Sequence, residues 1–187
     1  ASASGTFSVG GNFTNNATGV FTHSSGTLTL DGTNTQTITT NGDTLYNIIF
    51  NNTGASGSFA IASALDIDGA FTLTDGDLDL DTSDPTVNIA GNITVNGGSI
   101  TKSSADSSVT FDGDLAYDDN VGVNFGDVKI GTSPDTTNLS SDLICDSLTI
   151  ASGDYLYTNG YDIDSAGDIA ITGTLDATDD GESDGTV

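Results

Sequence analysis

Short stretches in which apolar and polar residues alternate recur along this chain, and turn residues separate them. In one central stretch they read Leu65-Asp66-Ile67, Phe71-Thr72-Leu73 and Leu78-Asp79-Leu80. A period of two places the apolar pair of each triplet on one face, the pattern of a half-buried β-strand. Asp68-Gly69 and Asp75-Gly76, both strong turn dipeptides, stand between them. The whole unit then repeats. Leu65, Val87 and Val109 are spaced by 22 residues, as are Ile67, Ile89 and Phe111. The same step relates Gly69, Gly91 and Gly113, then Phe71, Ile93 and Leu115, then Leu73, Val95 and Tyr117, and Gly76, Gly98 and Asn120.

Such short strands, joined by turns of a few residues, leave no room for the long crossovers of an ordinary parallel sheet. A solenoid accommodates them, because each strand stacks on its equivalent in the next winding. The spacing predicts an all-β, right-handed parallel β-helix with three short strands and about 20–22 residues per winding. The hand follows the general rule for parallel crossovers.

The pattern extends outward with small slips. Upstream, Phe7/Val9, Leu28/Leu30 and Ile48/Phe50 recur; downstream, Val128/Ile130, Leu148/Ile150 and Ile169/Ile171 do so. The third strand of the winding is the least regular: Leu78 and Ile100 align, and the next copy shifts to Val121/Val123. Longer turns are expected at residues 81–86, 102–108 and 131–138; Pro85 and Pro134 fall in the first and last of these, where no ladder donor is needed. About eight or nine windings result, in a single domain over residues 1–187 whose last ten residues, 178–187, form an acidic tail. At ~4.8 Å per winding the rod is about 40 Å long. No segment shows the 3.6-residue apolar stripe of an amphipathic helix.

Charge narrows the function. The chain carries 27 acidic residues against two basic ones, Lys102 and Lys129, for a net charge of -25. Phosphate recognition needs Lys and Arg, so nucleic acid is excluded as a partner, and anionic membrane surfaces are disfavoured. No apolar run is long enough for a membrane-spanning helix. All but one of the acids are Asp, which suits turns and strand ends better than helices. Cys145, the only cysteine, shares the parity of Leu143 and is expected inside. The absence of Met and the opening Ala1-Ser2-Ala3-Ser4 point to a processed product or an excised fragment, and a mature secreted chain fits them.

No cofactor is required; calcium is the cation this composition favours, and the alternative reading of the acidic residues is a solvated surface. Asp75, Asp77, Asp79 and Asp81 form an alternating acidic run with Leu78 and Leu80 turned inward, so hard oxygen ligands gather outside. A second candidate cluster is Asp112, Asp114, Asp118 and Asp119. The first run does not follow the EF-hand spacing, since the twelfth residue from Asp75 is Thr86 rather than a bidentate Glu. Asn12, Asn16, Asn51, Asn92 and Asn138 stand in Asn-X-Ser/Thr sequons and are candidate glycosylation sites. His23, the only histidine, is expected at the surface, and no catalytic residues are expected, since neither a His-based triad nor a basic site assembles from this composition.

One segment carries a resemblance. Gly11-Asn12-Phe13-Thr14-Asn15-Asn16, Gly26-Thr27-Leu28-Thr29-Leu30-Asp31-Gly32, Thr35-Gln36-Thr37-Ile38 and Leu45-Tyr46-Asn47-Ile48-Ile49-Phe50-Asn51-Asn52 resemble the repeats of large secreted microbial β-strand-repeat surface proteins of the adhesin-like parallel β-helix type. The resemblance is close over residues 5–52 and extends to 53–177 only as a period. It implies an extracellular, cell-surface rod or stalk. No capping helix is visible at either end, and uncovered solenoid ends can pair with further copies. The function expected is therefore a structural subunit of an extracellular filament or surface assembly, polymerising head to tail. The alternative is an adhesin stalk or a module that binds a glycan or cell-surface partner.

Overall fold

The structure, a computed structural model, describes residues 5–102, 108–132 and 134–178. Residues 179–187 of the acidic tail, and most of the long turn expected at 102–108, lie outside the described residues. The described chain is all-β, and all of its strand pairing is parallel. It is a parallel β-solenoid.

Numbered in chain order, the strands stack on three faces. Face one is a nine-stranded sheet of β1 (Thr6–Val9), β3 (Thr27–Leu30), β5 (Asn47–Asn51), β8 (Phe71–Asp75), β11 (Ile93–Val95), β14 (Leu115–Asp119), β16 (Thr136–Leu139), β19 (Tyr155–Tyr157) and β22 (Thr174–Asp176). Eight windings therefore separate its first strand from its last. Face two stacks β2 (Phe13–Thr14), β4 (Gln36–Thr39), β6 (Ser58–Ile61), β9 (Asp77–Asp79) and β12 (Ser99–Thr101), and resumes as the pair β17 (Leu143–Cys145) and β20 (Ile163–Ser165). Face three holds β7 (Leu65–Ile67), β10 (Val87–Ile89), β13 (Ser108–Phe111), β15 (Asp127–Ile130), β18 (Ser147–Ile150) and β21 (Ile169–Ile171).

The alternation read from the sequence decides what each strand buries. Leu65, Val87 and Val109 pair in register, as do Ile67, Ile89 and Phe111, and all six are at most 2% exposed. Each such inward side chain contributes roughly 1.5–3 kcal/mol by burial. The two outlying series fall on different faces. Phe7, Leu28 and Ile48 lead into Phe71 on face one, whereas Val128, Leu148 and Ile169 continue the Val109 column on face three. Wherever Gly91 lies over Gly69 the windings touch: a Cβ on Gly91 would meet the Gly69 carbonyl at 2.5 Å.

Four expectations are corrected. On face one Ile93 pairs with Tyr117 and Val95 with Asp119, so the strand is displaced by two residues and Leu115 does not follow Ile93. A two-residue slip preserves which side chains face inward. The Asn92 side chain holds the displaced strand by accepting the Ala116 amide at 2.9 Å, and the Tyr117 ring packs inside against Phe111 and Phe125. Asn120 consequently sits against Asn96 rather than in the Gly76/Gly98 column. The turn expected through residue 138 ends earlier, because β16 begins at Thr136. Finally, Val123 is buried but Val121 is 48% exposed. Face two is interrupted there, spanned by an isolated bridge between Asn124 and Ile144, and Phe125 fills the interior instead.

Candidate functional sites on the outer surface

Turn Asn and Asp residues do most of the polar work. The ladder pairs strands, but the turns between them leave backbone amides that need other acceptors. Asn12 accepts from Thr37 N, Asn47 from Ala70 N, Asn92 from Ala116 N, Asp114 from Thr136 N and Asp142 from Asp162 N, at 2.8–3.0 Å. Each bond joins one winding to the next. These side chains are structural struts, and two of them, Asn12 and Asn92, are the asparagines of sequons. Asn16 and Asn138 face solvent, and Asn51 is half-buried at the end of β5.

The alternating acidic run keeps its predicted facing, with Leu78 and Leu80 inside. Its carboxylates, however, are occupied by neighbours. Asp75 accepts from the Gly76 amide. Asp77 accepts from the hydroxyls of Ser99 and Thr101 on the next winding. Asp79 closes a turn, accepting from the Asp81 and Thr82 amides and the Thr82 hydroxyl. Partial burial works against the Asp79 carboxylate, but those bonds outweigh it and hold its pKa below the ordinary value. Asp81 is exposed.

The second run is divided by the register shift. Asp119 takes the inward position below Val95 and is 7% exposed. Its carboxylate accepts the amides of Val121, Gly122 and Val123 at 2.7–3.0 Å, and the Tyr117 hydroxyl lies at 3.3 Å. Burial, then the Asp119 charge, pushes the Tyr117 phenol far above its usual range. Asp118 stays on the outer side of β14, and Asp112 and Asp114 lie in the preceding turn, bonded to the Thr132 hydroxyl and the Thr136 amide. Among the described residues no three acidic, His or Cys side chains converge in a way that could hold a metal ion.

With the geometry in place, comparison adds no relative. No family model, curated protein or solved structure matches this chain. The reading therefore rests on the residues alone.

Other polar groups were hidden from the sequence pattern. His23 lies against the surface rather than free of it: Nε2 is 3.0 Å from Asp68 Oδ2, and the ring stacks on Tyr46 at 5.6 Å. Gln36 is buried and ties three backbone groups together, donating to the Val9 and Gly11 carbonyls and accepting from Gly32 N. Asp154, fully buried, accepts from Asp135 N, and its carboxylate occupies the space where Gly131 has no side chain; a Cβ there would meet Asp154 Oδ2 at 1.8 Å. Cys145 is inside, as expected, and burial raises its thiol pKa. Lys102 and Asp146 form an ion pair.

Proposed function

We propose that this chain is a structural rod of an extracellular filament or surface assembly, extended by head-to-tail stacking of solenoid ends. One observation carries the reading. Ile169 and Ile171 of β21 lie in register with Leu148 and Ile150, which are fully buried, yet they are 44% and 48% exposed. Among the described residues they form an interior layer with a winding on only one side. At the opposite end, β1 is the outermost strand of face one, and its Phe7 and Val9 are only half-buried. A parallel solenoid presents different edges at its two ends, so an end-to-end contact is heterologous and continues without closing. Stacking a further winding supplies both the missing ladder bonds and the missing apolar neighbours. The extracellular placement is supported by the β-strand-repeat resemblance of residues 5–52.

Like charge opposes this association, with a net charge of -25 on every copy. Salt screens that repulsion, so assembly should strengthen from low to moderate ionic strength. Sedimentation and negative-stain electron microscopy test the reading, comparing the native chain with the double variant Ile169→Lys, Ile171→Lys. Filaments that grow with salt and disappear in the variant are expected. Monomers of the native chain at high concentration and moderate salt would refute it.

A further inference from the structure

The polar cluster at Asp146 has the parts of an acyl-transfer site. Lys102 follows β12 on face two, Asn124 forms the bridge that continues that face, and Asp146 follows β17, so the three come from successive windings. The two oxygens of the Asp146 carboxylate are divided between the other two residues. Lys102 Nζ donates to Oδ2, and Asn124 Nδ2 donates to Oδ1 at 2.9 Å. The Asn124 carbonyl is in turn polarised, because Gly126 N donates to its Oδ1 at 2.8 Å. Lys102 and Asp146 are largely shielded, with side chains 14% and 24% exposed.

An amine, an amide carbon, a shared carboxylate and an N–H on the carbonyl oxygen are the groups that amide exchange requires. We infer that Lys102 and Asn124 join in an intramolecular amide bond that staples adjacent windings. In the reaction the Asp146 carboxylate takes a proton from the Lys102 ammonium. The freed Nζ adds to Asn124 Cγ, and the Gly126 amide stabilises the negative charge that develops on Oδ1. Asp146 then returns the proton to Nδ2, the Cγ–Nδ2 bond breaks, and the departing ammonia carries off the second Nζ proton as ammonium, leaving a neutral amide. One C–N bond forms and one breaks, with no oxidant or cofactor. Asp146 is placed for the first step because its Oδ2 already accepts from Lys102 Nζ. Holding nucleophile and acceptor on one carboxylate supplies the proximity that makes an otherwise slow exchange feasible. The inference is independent of filament assembly.

The scarcity of basic residues makes the test simple. Lys102 and Lys129 are the only tryptic sites in the chain. The folded protein, verified by its β-sheet circular dichroism, is denatured, weighed intact and digested with trypsin. The expected intact mass is short of the sequence mass by one ammonia. Cleavage is expected after Lys129 alone, because an acylated Lys102 is no longer a trypsin site. Lys102→Arg and Asn124→Ala should each restore the full sequence mass of the variant. A native chain of full sequence mass that is cut after Lys102 would overturn the inference without reference to any variant. Loss of one water instead would place the bond on Asp146 and overturn the assignment of Asn124.

Discussion

The central windings and the last described winding are written in the same code but hold their side chains differently. On face three, Ile89 lies between Ile67 and Phe111, and all three are fully buried. Ile171 has the same parity and the same kind of strand, yet stacks on Ile150 alone and is 48% exposed. The alternation within a strand selects the face, whereas the burial that stabilises the strand is delivered by windings on both sides. Stability in such a molecule is a sum of neighbour contacts, so it should fall off from the middle to the ends. The acidic residues show a parallel contrast. Asp119, in the interior, is satisfied by three backbone amides, whereas Asp79, at the surface, is satisfied by one short turn.

Core truncation probes the first contrast most strongly. Phe111→Ala, which empties a site between two windings and beside Phe125 and Tyr117, should cost about 3–5 kcal/mol. Ile171→Ala, in the same column system, should cost under ~1 kcal/mol in the monomer. Equal losses by urea denaturation would break the neighbour-stacking account. Next in size, Asp119→Ala should cost about 3 kcal/mol, since it leaves the amides of Val121, Gly122 and Val123 without their acceptor. A loss below ~1 kcal/mol would mean that this turn is held by something other than the carboxylate.

The smallest effect is at Asp79. Its folded pKa lies below the ordinary 3.8, so its contribution is present above the unfolded value and is lost as pH falls through the folded one. Asp79→Asn should therefore lower stability by a few tenths of a kcal/mol at neutral pH, after discounting for solvent screening, and the gap from the native chain should close as the medium becomes strongly acidic. A gap that does not change with pH would assign the effect to the turn's geometry instead of its charge.

Much of the fold was legible from residue spacing alone. A period of two within strands and a period of 20–22 between them specified parallel windings, because only stacked equivalents can bury one apolar pair per triplet from both sides. The inward position of Cys145 and the columns Leu65/Val87/Val109 and Ile67/Ile89/Phe111 followed directly. Tertiary structure decided the rest. A shift of two residues leaves the apolar pattern unchanged, so nothing in it could reveal that Tyr117 rather than Leu115 follows Ile93, or that Asp119 turns inward. Asp is equally at home as a ligand, a turn acceptor or a solvated charge; only the neighbouring winding shows which amide it meets. Lys102, Asn124 and Asp146 are each separated by 22 residues, but their meeting at one carboxylate depends on where face two is interrupted. Local alternation fixes which way a side chain points, and the stacking of windings fixes what it touches.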